Sequence, residues 1–136
     1  MKVMVVGSGG REYSMGLALQ KDPEVSEIFF APGNGATPNL GTNVAFKTYD
    51  DLAEFALQNA IDLTIVGPED ALVAGIVDIF KAKNLVIFGA SKAAARLEGS
   101  KIFMKNFLSR YNIPTAAYIE TSDAQKAYAF IETLSL

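Results

Sequence analysis

The 136-residue sequence has no cysteine and no histidine. That excludes disulfides, a thiol nucleophile and any Cys/His zinc site. It also excludes a serine–histidine pair for acyl transfer. Chemistry in this chain is left to carboxylates, lysines, backbone amides or a bound metal. No apolar run reaches 18 residues, so no membrane-spanning helix is expected. The apolar stretch Val3–Val6 is too short for a signal-peptide core and reads as a strand. A basic excess is missing as well. Twelve Lys and Arg stand against 15 Asp and Glu, giving a net charge of -3 and a pI of about 4.9. The footprint of non-specific nucleic-acid binding is therefore absent. Internal repeats and low-complexity segments are lacking too.

What is present suits a folded chain. Half the residues are hydrophobic and 20% are charged, which argues against disorder. The length allows one compact domain and the start of a second.

Short apolar runs alternate with helical patterns. Lys2–Val6 reads as a strand buried on both faces. Gly7-Ser8-Gly9-Gly10 follows, and then a helix from about Arg11 to Gln20, stopped by Asp22-Pro23. Strands are expected at Ile28–Ala31, Asn43–Phe46, Leu63–Val66 and Leu85–Phe88. Pro32-Gly33-Asn34-Gly35 breaks the second of the five strands, and a polar loop continues to about Gly41. Thr48, with Asp51 three residues on, predicts a capped helix whose face is Leu52, Phe55 and Ala56. A single helix is expected from about Ala71 to Lys83, with Leu72, Ile76, Ile79 and Phe80 on one side. The order β-α-β-β-α-β-α-β predicts an α/β fold, a doubly wound open parallel sheet that binds ligands outside the strand C-termini.

After Gly89 the pattern changes. Helices are expected at Ser91–Leu97 and Lys101–Arg110, a strand at Ala117–Ile119, and a last helix capped by Thr121 or Ser122. Its apolar face is Ala127, Phe130, Ile131 and Leu134, a stripe with few partners, so the reading expects part of a longer chain. Residues 1–90 are read as a substrate-binding domain, 91–100 as a helical linker, and 101–136 as the incomplete start of another domain.

The residues that can carry chemistry lie on loops. Gly7-Ser8-Gly9-Gly10-Arg11-Glu12 joins a strand to a helix. Its glycines let an anion approach the backbone, the free N–H groups and helix dipole favour negative charge, and Arg11 adds a cation. The competing reading is a tight turn with no ligand. A dinucleotide fingerprint, G-x-G-x-x-G, would need glycine at Glu12 and an acid at the end of the second strand, where Ala31-Pro32-Gly33 stands. Both gaps point to a mononucleotide-sized phosphate.

Beside this loop, Asn34 can reach a sugar hydroxyl or amine, although Pro32-Gly33-Asn34-Gly35 by itself is a turn. In Gly67-Pro68-Glu69-Asp70, Asp70 reads as a helix-capping acid. Glu69 is open between capping and accepting ribose hydroxyls or an ammonium group. Lys92, Lys101 and Lys105 taken alone read as solvated lysines, and Phe103 and Phe107 as packing residues.

Taken together, MKVMVVGSGGRE, APGN, DLTIVGPEDALVAGIVD and IFGASKAAARLEGSKIFMKNFLSRYNIPTA resemble the glycinamide ribonucleotide synthetase family, the phosphoribosylamine–glycine ligases of the ATP-grasp superfamily. The resemblance covers essentially the whole chain, in the family's order and spacing. It implies a Rossmann-like N-domain followed by the start of an ATP-grasp domain. The implied activity joins glycine to 5-phosphoribosylamine with conversion of ATP to ADP and phosphate through a glycyl phosphate, in cytoplasmic purine biosynthesis. Substrate-binding roles are implied for Gly9, Gly10, Arg11, Glu12, Pro32, Gly33, Asn34, Pro68 and Glu69, and an ATP-phosphate contact for Lys101. ATP with Mg²⁺ or Mn²⁺ would be held mostly by residues beyond Leu136, and no catalytic or metal-ligating residue is assigned within the chain. Implied partners are phosphoribosylamine, glycine and ATP, with neither nucleic acid nor membrane. Tyr13 stands where the family usually has histidine, so an acid–base role there loses its titrating group. Family members are also several hundred residues long.

Three other readings remain at this point: a related carboxylase or purine ligase, a nucleotide-binding oxidoreductase or sensor domain, and an interaction module.

Overall fold

The computed structural model describes residues 1–134. Packing divides the chain into two units, Met1–Gly99 and Ser100–Leu136.

In the first unit, five parallel strands form one sheet in the order β3-β2-β1-β4-β5. They are β1 (Lys2–Gly7), β2 (Glu27–Pro32), β3 (Thr42–Asn43), β4 (Leu63–Val66) and β5 (Ile87–Phe88). The central register sets Val5 against Phe30 on one side and Ile65 on the other. Side-chain alternation gives the sheet two apolar faces. Met4 and Val6 of β1 and Phe29 and Ala31 of β2 share one cluster with Leu52, Ala56, Ile76 and Phe80. Val5, Ile28 and Phe30 face the other way, onto Met15, Leu19 and Leu40. Helix α1 (Gly10–Leu19) thus covers one face; α2 (Tyr49–Gln58), α3 (Glu69–Ala74) and α4 (Ile76–Ala82) lie with the other. The doubly wound parallel fold expected from the sequence is the one observed.

The capping box before α2 is also as expected: Thr48 Oγ1 accepts from Asp51 N–H at 3.1 Å, and Asp51 Oδ2 accepts from Thr48 N–H at 3.0 Å.

Local differences have identifiable causes. The single helix expected at 71–83 is two, because Gly75 adopts φ +100°. Its N–H closes α3 on Ala71 and Leu72, and its C=O opens α4 by accepting from Asp78 and Ile79. An apolar period crosses such a break without showing it. β5 starts two residues later than expected because Leu85 N–H closes the preceding turn on Phe80 O, through Asn84 at φ +58°. β3 is an edge strand that pairs over two residues rather than running to Phe46, and Phe46 turns onto the core instead. Within the polar loop a 3-10 turn, Thr37–Asn39, buries Thr37 completely. Helix α5 (Lys92–Gly99) packs on α3, with Gly99 against Val73.

In the second unit, α6 (Lys101–Arg110) has the expected limits and is capped by Ser100 Oγ, which accepts from Phe103 N–H at 3.2 Å. Phe103 and Phe107 are half-buried, and the Phe107 ring lies 4.7 Å from that of Tyr111. The strand expected at Ala117–Ile119 is an exposed, unpaired segment. Extended sequence becomes a strand when a neighbour supplies hydrogen bonds, and none does among the described residues. Lys105, expected to be solvated, ties this segment down by donating to Thr115 Oγ1 at 2.8 Å and Ala116 O at 2.9 Å. Helix α7 (Ala124–Glu132) is capped by Asp123, whose Oδ1 accepts from Gln125 N–H, rather than by Thr121 or Ser122. Residues 135 and 136, the end of the stretch read as a second domain, lie outside the described residues.

Candidate functional site

The chain starts at the sheet's centre, adds β2 and β3 on one side, and returns to add β4 and β5 on the other. Connections after β1 and β4 therefore diverge, opening a crevice at their C-terminal ends. A cavity of about 360 Å³ lies there, bounded by Gly7, Ser8, Gly9 and Glu12 from the first loop and by Pro32 and Pro68 from the other two. The three sequence-predicted loops do meet at one place.

Hydrogen bonds set the shape of the first loop. Gly7 holds φ +128°, accessible to glycine at little strain, and its C=O accepts from Gly33 N–H at 3.1 Å. Gly10 begins α1, and a Cβ there would meet no atom within 4 Å, so its backbone is open to an approaching group. The N–H groups of Gly10 and Arg11, in the helix's first turn, have no acceptor among the described residues. The Arg11 side chain is 60% exposed. Its Nε donates to Glu12 Oε1 at 3.2 Å, and Nη2 lies 3.9 Å from Glu69 Oε2. An exposed pair like that with Glu69 is worth about 0–1 kcal/mol, so Nη2 can leave Glu69 for an anion at little cost while Nε stays on Glu12.

The other candidates divide. Asn34 ties two loops together: its Nδ2 donates to Ser8 O at 2.8 Å, and its Oδ1 accepts from Ala36 and Thr37 N–H. One Nδ2 hydrogen is left for a ligand. Gly33, at φ +74°, sits against Asn43 and Thr37 and shapes the turn. Glu69 is exposed at the start of α3. Glu12 is buried, with Oε2 accepting from Gly9 N–H at 2.6 Å. Tyr13 is half-buried on α1 and is not among the residues lining the cavity. Lys101, exposed at the head of α6, has no hydrogen-bond or ion-pair partner among the described residues and borders a hollow of about 220 Å³ with Lys105, Tyr118 and Glu120. A larger hollow of about 700 Å³ in the same unit is an open groove along the exposed residues 119–123 and lacks a convergent set of anchored polar groups.

Sequence reasoning missed one wall. Phe46 and Tyr49 line the cavity with their rings 5.7 Å apart, and Asp70, read as a capping acid, faces the same space. Burial pushes the Tyr49 phenol above its ordinary value, and the negative charge of Asp70 adds to the effect. The pattern around Thr48 announces a helix start and carries no sign that its flanking aromatics meet loops 40 residues away.

The family described as phosphoribosylglycinamide synthetase, N domain, matches residues 1–98. Phosphoribosylamine–glycine ligase of Vibrio vulnificus (strain YJ016) is 49% identical over 135 residues, covering 96% of this chain and 32% of that protein. The protein of the same name from Pseudomonas aeruginosa is 47% identical over 135 residues, covering 96% and 31%. The solved phosphoribosylamine–glycine ligase from Thermotoga maritima superposes with a TM-score of 0.69 at 29% identity, over 99% of this chain and 31% of that one. The biotin carboxylase domain of a thermophilic 2-oxoglutarate carboxylase gives 0.66 at 14% identity, over 99% and 34%, which shows a shared fold. The chain spans about a third of the length of the curated relatives it matches.

Proposed function

Because the chain belongs to the phosphoribosylglycinamide synthetase N-domain family, we propose that its crevice binds the phosphate and sugar of 5-phosphoribosylamine as part of a phosphoribosylamine–glycine ligase. The observation that carries this reading is the first turn of α1, where the amides of Gly10 and Arg11 have no acceptor among the described residues and the Arg11 guanidinium is exposed, between Gly9 and Glu12 of the cavity lining. Helix dipole, amides and cation act together on one phosphate. Its cavity is at the small end of the range for small-molecule sites, about 300–1,000 Å³. Carboxylates of Glu69 and Asp70, with the Tyr49 hydroxyl, supply acceptors for sugar hydroxyls or the amine.

In the whole ligase, ATP would transfer its γ-phosphoryl group to the carboxylate of glycine, releasing ADP. The sugar's amine would then attack the acyl carbon, expelling phosphate and losing a proton. The task of this chain's residues is to fix the sugar phosphate so that the amine is held in line for that attack. Lys101 supplies a free cation suited to a nucleotide phosphate. No group of three or more acidic side chains that could hold a metal ion lies among the described residues, and none of them has a metal-binding role in this reading. A cytoplasmic setting and small-molecule partners go with this reading.

Calorimetric titration with ribose 5-phosphate, a stable stand-in for the amine, tests it. Binding is expected to weaken about tenfold in Arg11→Ala, the loss of one charge-assisted contact. Equal affinity of parent and variant, or tighter binding of NADH than of ribose 5-phosphate, would sink the reading.

A further inference from the structure

Glu12 stands where a dinucleotide loop would carry its third glycine, and its side chain is turned inward. The residue is 3% exposed. Both carboxylate oxygens are engaged, Oε2 with Gly9 N–H at 2.6 Å and Oε1 with Arg11 Nε at 3.2 Å. The glycines around it leave room for nothing else. A Cβ at Gly7 would lie 2.7 Å from Glu12 Cγ, one at Gly9 2.9 Å from Oε2, and one at Gly67 2.0 Å from Oε1. The carboxylate thus fills the floor of the crevice between the β1 and β4 loops.

Two physical consequences follow. The Gly9 amide is occupied from within, so the donors left for an anion are those of Gly10 and Arg11 at the mouth. Any second phosphate reaching deeper between β1 and β4 would meet a fixed negative charge in a poorly solvated place. We infer that Glu12 is the specificity-determining residue that limits this loop to ligands with one phosphate and turns away diphosphates. The inference rests on the phosphate reading given above and adds what that reading lacks, the group that discriminates.

The test compares ribose 5-phosphate with ADP-ribose, followed by the Gly10 and Arg11 amide resonances of the 136-residue chain. The parent should prefer ribose 5-phosphate by at least about tenfold, the effect of one like charge a few ångströms away near a surface. Glu12→Gln keeps an oxygen for the Gly9 amide and loses the charge. The ratio of its affinities, ribose 5-phosphate over ADP-ribose, should fall by about fivefold or more from that of the parent. Glu12→Asp keeps the charge but draws it back by one methylene, and should fall between the two. An unchanged preference in a folded Glu12→Gln protein overturns the inference. Loss of the native circular dichroism spectrum in both variants also overturns it, because the carboxylate would then be a folding requirement. Absence of ribose 5-phosphate binding by the parent would instead defeat the ligand reading on its own.

Discussion

Replacing Gly16 by alanine sets two effects against each other at a position where the structure decides their relative size. Gly16 lies in the middle of α1, and removing a helical glycine favours the helix by about 1 kcal/mol. A Cβ there would approach Phe30 Cζ to 2.4 Å and Leu40 Cδ1 to 3.1 Å. Ordinary carbon contacts lie at about 3.5–4.0 Å. Phe30 is fully buried in the interior β2 strand, so its ring has no open space to swing into. Overpacking of this kind costs about 1–3 kcal/mol, and an overlap of this depth falls in the upper half. The net expectation is a loss of about 1–2 kcal/mol, read as a drop of roughly 1 M in the urea midpoint by far-ultraviolet circular dichroism. Phe30→Leu removes the atom in the way, so the double variant should cost about 1 kcal/mol less than the two single changes added together. A Gly16→Ala protein as stable as its parent would refute the reasoning, and additive single changes would show that the two side chains do not meet.

Thr48→Ala should destabilise the chain by about 1 kcal/mol in urea unfolding, within the usual 0.5–2 for an N-cap, and much less in a background that already carries Asp51→Ala, because the two bonds are reciprocal. No change in either background would mean that the cap is exposed to water and contributes nothing. Stability should fall above about pH 10 for two reasons of the same sign. Tyr49 has its pKa raised from 10.0 by burial and by Asp70, so its contribution is whole below the unfolded value and is lost as pH rises through the folded one. Lys83, bonded to Glu54 at 2.6 Å, is raised from 10.5 mainly by that hydrogen bond and loses its pair over the same alkaline range. Urea midpoints at pH 9 and 11 should therefore diverge less in Tyr49→Phe and in Lys83→Met than in the parent; equal slopes in all three proteins would count against both assignments.

The local patterns carried the architecture a long way. Val3–Val6 is apolar throughout, and Leu63–Val66 is apolar but for the buried Thr64, because both faces of a parallel strand are covered, and such runs alternating with helices specify a doubly wound sheet before any contact is known. The free amides, helix dipole and exposed charge of the glycine-rich turn at Arg11 were legible for a similar reason: all belong to one short segment. The Thr48–Asp51 box is equally local.

Tertiary structure decided what depends on residues far apart in the chain. Glu12 belongs to the same short segment as Arg11, yet only the approach of Gly67 at the end of β4 makes it a buried floor of the crevice. Asn34 became a tie between loops because Ser8 lies within 2.8 Å of it across the sheet. Phe46 and Tyr49 join Asp70 in the cavity wall because β3 stops after two residues and releases the chain across the strand ends. Gly75 breaks a helix whose apolar period continues past it, since periodicity records which face is buried and is blind to a single left-handed residue. Burial, hydrogen-bond competition and close approach are properties of pairs of segments, and a sequence lists segments singly. That is why the fold and the glycine-rich strand-to-helix turn could be read from the order of residues, while the surroundings of Glu12, Asn34 and Tyr49 had to wait for the sheet to bring their partners to them.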